Sequence, residues 1–538
     1  MPSETTLPHA TECLAAQIAV CALPETKKTV RANQLLWTVS VGLAAVALCM
    51  PFLRAVTWLG DEGVLLDGAQ RMLHGDKLYV DLFSGLPPGG YLITEEWFRL
   101  FGISMLSARA LAILTIAGIA CFTFLACRLV CRNSLLPAAL SLGWVATSQG
   151  YWTQVSHHWF TTCLSMMAGY FALRSAGRAH AWFGWPVLAG IAAGAAGLVT
   201  SSRGAFAVIA ALSAFADLRR QWRQTLLFVL SVAVMLIGFV VYLLWQHLLP
   251  AAFDDVIVFT ATRYALIQWV PFGHGLSWEN LLLVALFPAV LAGTVLLGVV
   301  DWRALAAPRA RTCAALSLAG FSSCFPRPDM AHIGFAAPLA FPMLALLMSQ
   351  ISRRWRPVTR YATAGLLFAI CIPSFSAFIG TAQSVARASF STTPRGKVAF
   401  SMGRAAEVRE LLDAIVAKPR AERFFFYPYL PMLPFISARD QQGQYDLFAP
   451  DFTAPVQYQQ ACVSVIEQAT WAVVDTKWAD PKILKVIFPG MTNPRPPETA
   501  RFEAALDKAF PISARFGTFE LRRKAPDADP RLCAGIAR

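Results

Sequence analysis

Long apolar runs alternate with short basic connectors over the first 384 residues. A helix needs about 20 mainly apolar residues to cross a bilayer. Runs of that kind fall near residues 34–56, 105–127, 134–150, 158–174, 183–200, 204–217, 225–247, 279–300, 312–325, 332–350 and 361–382, with those at 204–217 and 312–325 short. The pattern predicts an all-α polytopic membrane domain of about eleven transmembrane helices. Two polar stretches, 57–104 and 248–278, interrupt it. The first holds acidic residues, prolines and two amphipathic segments, 61–74 and 91–101, suited to lying along an interface. The second carries Asp254, Asp255, Arg263 and Tyr264. It reads as packing, or as a gate for substrate, with the two aspartates solvated.

From about residue 385 the period changes. Ala405, Val408, Leu411, Leu412 and Ile415 recur at helical spacing, and short β-like runs follow at 424–426 and 472–474 between Pro/Gly-rich turns. The chain therefore divides into a tail (1–33), a membrane domain (34–384, with 57–104 as its first long loop) and a small C-terminal α/β domain (385–538).

Charge gives the orientation. With the N-terminus inside, the inner connectors hold Arg128 and Arg132; Arg174 and Arg178; Arg219, Arg220 and Arg223; Arg303, Arg309 and Arg311; and Arg353, Arg354, Arg356 and Arg360. The short outer connectors carry only Arg203 and Arg327, at their membrane edges. This is the positive-inside arrangement. An odd number of spans then places the C-terminal domain, and the 57–104 loop, outside. Lys27, Lys28 and Arg31 precede the first span, so the tail reads as cytoplasmic in front of a signal anchor.

Composition agrees. The chain is 56% hydrophobic and 14% charged, with mean hydropathy +0.51, against about 25% charge in soluble proteins. The net charge of +14 sits between apolar segments, so it reports topology and not nucleic-acid binding. Most of the twelve cysteines lie in apolar runs and none shows zinc spacing. Cys462 and Cys533 share the outer domain, where an oxidising compartment permits a bridge without requiring one.

Candidate chemistry begins directly after the first span, at Trp58-Leu59-Gly60-Asp61-Glu62-Gly63. Paired carboxylates at a membrane boundary are costly unless solvated or used. The plain alternative is a helix start, with Asp61 as cap and Glu62 in the first turn. The segment continues through Ala69-Gln70-Arg71-Met72-Leu73-His74-Gly75-Asp76, Tyr79-Val80-Asp81 and Pro87-Pro88-Gly89-Gly90-Tyr91. That ordered series resembles the first outer loop of the C-type (GT-C) membrane glycosyltransferases, in the bacterial branch related to protein O-mannosyltransferases and lipid A aminoarabinose transferases. Pro326-Arg327-Pro328-Asp329-Met330-Ala331-His332, followed by Pro338, is similar to an outer-loop pattern of that branch. Tyr427-Pro428-Tyr429-Leu430-Pro431, Arg439 and Tyr445-Asp446 are similar to its extracytoplasmic tail.

The resemblance implies a glycosyltransferase of a bacterial inner membrane. It would transfer a sugar from a polyprenyl-phosphate donor to an acceptor (lipid, glycan or protein) on the outer side. Asp61 matches the loop-one carboxylate that acts as base or orients the acceptor, with Glu62 as its helper. A sugar hydroxyl is a weak nucleophile, and a carboxylate in reach takes its proton; the departing lipid phosphate needs positive charge. Arg203, Arg327 and His332 share the outer face and are the candidate phosphate ligands. Tyr79, Asp81, His157, His158 and Asp329 are further candidates for substrate contact. Each has a structural alternative: Arg203 snorkels, Arg327 and Asp329 pair, and the two histidines satisfy their own loop. Asp-Glu is not the Asp-x-Asp with which some members hold a divalent cation, and Asp254-Asp255 does not have that spacing either, so neither metal nor other cofactor is expected. A transporter or flippase would carry ionisable residues within its spans, and few are present. A non-catalytic assembly protein would tolerate substitution of Asp61 and Arg327.

Overall fold

The computed structural model describes residues 27–131, 133–148, 153–178, 182–354 and 357–537. Most of the cytoplasmic-tail expectation, and the inner-connector residues Arg132 and Arg356, lie outside the described residues. Each apolar run is helical. In chain order the helices are α1 Lys27–Cys49, α2 Glu62–Leu73, α3 Gly89–Phe101, α4 Met105–Arg128, α5 Leu135–Ser148, α6 His157–Ser175 and α7 Gly184–Val199. They continue as α8 Ser201–Leu212, α9 Leu218–Trp245, α10 Leu281–Val300, α11 Pro308–Ser322, α12 Met330–Ala336, α13 Phe341–Arg354 and α14 Pro357–Arg387. The amphipathic segments of the first loop are α2 and α3.

Among the described residues, five helical segments are long and apolar enough to cross a bilayer: Ala32–Phe52, Met105–Arg128, Leu218–Trp245, Trp278–Val300 and Met330–Gln350. α5, α7 and α8 are shorter apolar helices. Leu226, Leu230, Val234, Ile237 and Val241 of α9 form an exposed stripe at helical spacing. Such a stripe has no stabilising partner in water and suits hydrocarbon. The protein is multi-pass in a membrane.

The C-terminal region folds into two sheets around α15 Ala405–Val416, α16 Met432–Ser437, α17 Pro455–Gln468 and α18 Pro497–Ala509. In the first sheet β1 (Ala55–Val56), which follows the first span, pairs in parallel with β3 (Gly396–Phe400); β3 is antiparallel to β2 (Phe390–Thr393). In the second, the order is β4 (Phe424–Tyr427), β5 (Trp471–Asp475), β7 (Phe519–Arg523), β6 (Ile512–Phe516), with only β4 and β5 parallel. Side chains alternate across a strand, so β5 serves two cores. Trp471 and Val473 pack with Val408 and Leu411 of α15, whereas Ala472 and Val474 pack with Val465 and Phe502. That explains a continuous apolar run where one-sided alternation would apply to an exposed sheet.

Cys462 on α17 is disulfide-bonded to Cys533, with Cα atoms 5.8 Å apart. It ties the turn at Pro530–Cys533 to α17 across a sequence separation of 71. Replacing both cysteines with serine should lower the stability of this domain by about 2–4 kcal/mol, measured by thermal unfolding with and without reductant. Equal midpoints would show the bridge to be dispensable.

The first loop is embedded against this domain. Leu65, Leu66 and Ala69 of α2 share a core with Leu433, Phe435 and Ile436 of α16, and Phe98 of α3 stacks on Phe435 with centroids 5.8 Å apart. Carboxyls are trapped at the junction. Asp67 is fully buried, and neither of its oxygens has a partner among the described residues. Burial, then the neighbouring Asp446, pushes the Asp67 carboxyl well above its usual range. Burial raises Asp446 to about 6 and, in the 248–278 stretch, Asp255 to about 7.

These groups bind protons more tightly in the folded state. The stability they confer is complete below the ordinary carboxylate range, about pH 4. It is lost as pH rises through about 6 for Asp446 and about 7 for Asp255. Thermal midpoints should therefore fall between pH 5 and pH 8, and Asp446→Asn should flatten that slope. A midpoint that rises over the same interval would contradict the sign.

Candidate active site

Asp61 stands exposed at the N-terminus of α2 and makes no side-chain cap for that helix. Its Oδ1 accepts a 2.5 Å hydrogen bond from the Tyr429 hydroxyl, a group 368 positions away. Among the described residues it has no other hydrogen-bond partner. The capping alternative for Asp61 therefore does not hold.

Glu62 behaves differently. It was expected beside Asp61 as helper, but the helix turns it inward, where it is 2% exposed. Its carboxylate is ion-paired with Arg109 of α4 and accepts from the Val155 N–H at 2.8 Å. Arg109 also donates to the Ala55 carbonyl at 2.5 Å. Successive residues at a helix start point about 100° apart, so one carboxylate of the pair is exposed and the other ties loop one to α4 and to the segment before α6. Glu62 is an anchor.

The cationic candidates converge. Arg203, in the first turn of α8, is 7% exposed, and its Nη1 has no partner among the described residues. Asp329 caps α12 by accepting from the His332 N–H at 3.0 Å. The same carboxylate bonds His332 Nδ1 at 2.7 Å and accepts from Arg327 Nε at 2.7 Å. Although burial works to raise it, His332 and Arg327 hold the Asp329 carboxyl well below its usual range. Arg327 also donates to Gln268 Oε1 at 3.0 Å and lies over the Phe488 ring at 5.8 Å. His158 sits against His332 with ring centroids 5.0 Å apart, and against His157 at 3.9 Å. The Nδ1 of His158 is buried without a partner among the described residues.

Tyr264 joins the two halves. It lies within electrostatic reach of Arg203, Arg327, Asp61 and Asp329. The structure thus gathers Asp61, Tyr429, Tyr264, Arg203, Arg327, Asp329, His332, His157 and His158 into one region. The 248–278 stretch, read mainly as packing, contributes both Tyr264 and Gln268; the clustered Arg263 and Tyr264 were its only signal. Tyr429 lay in a segment noted for its resemblance but had no assigned role. Arg109 was concealed as one charge inside an apolar run.

Tyr79 and Asp81 are not brought to this region. The Tyr79 hydroxyl donates to the Leu86 carbonyl at 3.0 Å. Asp81 accepts from the Lys77 N–H at 2.8 Å through its carboxylate, and its carbonyl accepts from Arg71 at 2.8 Å. Tyr79 has φ +70°, a left-handed conformation that a non-glycine residue keeps only where surroundings enforce it. The bonds of both residues hold the turn after α2. Among the described residues no group of three or more His, Cys, Asp or Glu is arranged to hold a metal ion.

This arrangement, a polar cluster at one end of a helical membrane bundle roofed by an α/β domain, is a fold shared with solved structures of ArnT and of an archaeal oligosaccharyltransferase. Three comparisons carry this. ArnT from Cupriavidus metallidurans in the apo state superposes with TM-score 0.57 over 94% of this chain and 99% of that one, at 13% identity. ArnT bound to undecaprenyl phosphate gives 0.56 over 92% and 99%, at 15% identity. The archaeal oligosaccharyltransferase AglB from Archaeoglobus fulgidus, in complex with an inhibitory peptide and a dolichol-phosphate, gives 0.53 over 92% of this chain and 75% of that one, at 12% identity. No family model and no curated relative matches the sequence. The resemblance read from the first loop is borne out as a shared fold.

Proposed function

We propose that the protein is a glycosyltransferase of a bacterial inner membrane. It spans about eleven times, with its N-terminus cytoplasmic and its C-terminal domain outside. It transfers a sugar from a polyprenyl-phosphate donor to an acceptor hydroxyl on the outer side. The observation that carries the reading is an exposed, phenol-bonded carboxylate, Asp61, in one region with a buried arginine, Arg203, whose Nη1 has no partner among the described residues.

In this reading Asp61 takes the proton of the acceptor hydroxyl as its oxygen bonds to the anomeric carbon. The bond from that carbon to the phosphate oxygen breaks, and the charge released there is met by Arg203, with Arg327 and His332 as the adjoining pair held by Asp329. A buried guanidinium with an unmet donor costs roughly 1–3 kcal/mol, which a phosphate oxygen in its reach would offset. The solved structures that share the fold and contain undecaprenyl phosphate or dolichol-phosphate support this donor class.

The test is mass spectrometry of lipid extracts from cells with and without the protein. A glycosylated polyprenyl phosphate should accumulate when the protein is absent. Unchanged carrier pools, with flux through them demonstrated, would overturn the reading and favour a transporter or an assembly protein.

A further inference from the structure

The C-terminal domain could act only as a roof or an acceptor-selecting surface. Its contact with the start of α2 says more. Residues 429–432 lie directly on residues 59–63. The Met432 N–H donates to the Leu59 carbonyl at 3.0 Å. A side chain at Gly63 would overlap the backbone of Pro431 and Met432, and one at Gly60 would overlap both the Trp58 indole and the Tyr429 ring. Two glycines in four residues therefore permit this approach. Behind the phenol, Trp478 packs on Tyr429 at 5.8 Å and on Trp58 at 5.1 Å, edge to face in both cases. The ring is fixed on three sides, and its one polar atom is directed at Asp61.

We propose that Tyr429 is a positioning residue for the base: by donating to Asp61 Oδ1 it fixes the carboxylate and leaves Oδ2 for the acceptor hydroxyl. The C-terminal domain thereby completes the active site. This rests on the reading of Asp61 as base. A hydroxyl bonded to a carboxylate at this distance is a strong, charge-assisted interaction. Burial, and next the adjacent Asp61, keep the Tyr429 phenol protonated by pushing it well above its usual range, so it remains a donor across the working pH. A carboxylate free to rotate would present Oδ2 in fewer productive orientations, and orientation is a direct component of the rate.

The experiment uses the full-length protein in nanodiscs. Lipid extract from cells lacking the protein supplies accumulated donor and unmodified acceptor, and donor consumption is followed by mass spectrometry across pH. Tyr429→Phe keeps the ring and removes the hydroxyl. It should lower kcat about 10-fold with KM for the extract unchanged, and move the acid limb of the kcat profile to higher pH. Tyr427→Phe is the control, because that hydroxyl donates to Glu503 at 3.1 Å and not to Asp61; it should leave kcat and the pH profile in place. An unaltered kcat and profile in Tyr429→Phe would overturn the proposal. So would an equal loss in Tyr427→Phe, which would assign the effect to the domain's packing. Asp61→Asn in the same assay separates the two readings: if it retains full activity, the base assignment fails whatever Tyr429 does; if it is inactive while Tyr429→Phe is normal, only the positioning role fails.

Discussion

Asp61→Asn should lower turnover by roughly 10²–10⁴-fold, the usual weight of a positioned general base, while the protein folds normally. The substitution removes the charge and the proton-accepting capacity and keeps shape and size. The side chain is exposed, so no buried charge is left unpaired, and the Asn carbonyl can still accept from the Tyr429 hydroxyl, without the charge assistance. Stability should therefore change by less than about 1 kcal/mol. The two readouts are donor consumption in nanodiscs and the thermal midpoint. Activity within a few-fold of wild type would remove Asp61 from the mechanism. A collapse of the midpoint would show that the carboxylate is structural.

The second large effect is expected at Arg109, with the opposite signature. Arg109 and Glu62 are each about 3% exposed at their side chains. Removing one partner of a buried ion pair leaves the other charge uncompensated, at a cost of about 3–5 kcal/mol. Arg109→Met should accordingly reduce the yield of folded protein and lower its thermal midpoint. The double variant Glu62→Gln with Arg109→Met should recover much of the loss, because no unpaired charge then remains. Activity should fall with folding in the single variant, since Glu62 directly follows Asp61 and sets the direction of α2. If Arg109→Met unfolds no more easily than wild type, the pair is not the lock described above.

The contrast between two adjacent carboxylates shows how far the sequence was legible. Asp61-Glu62 was readable as a costly pair at a membrane edge, with Asp61 the proposed base through a family resemblance. Which of the two faces water depends on helix phase, and that phase is set by Arg109, 47 positions away. The same limit applies to Tyr79 and Asp81. Their types and order suggested substrate contact, yet short-range hydrogen bonds occupy both. It applies in reverse to Tyr429 and Tyr264, where nothing local distinguishes an aromatic of the candidate site from a packed one.

What the sequence by itself determined was the set of helices. A membrane segment must satisfy its own backbone and present apolar side chains outward, so its signal is local and continuous along the chain. The expected spans coincide with helices to within several residues at their ends, and the amphipathic segments of loop one with α2 and α3. The C-terminal strands at 424–426 and 472–474 were also local signals, carried by runs of apolar and aromatic residues. The tertiary structure alone decided how the C-terminal pieces meet the first loop: β1 on β3, the 429–432 segment on 59–63, and the Tyr429 hydroxyl on Asp61. Those contacts link distant positions through single hydrogen bonds and glycine-sized gaps. No periodicity records such a contact, because each depends on the packing of both partners and not on the sequence around either one.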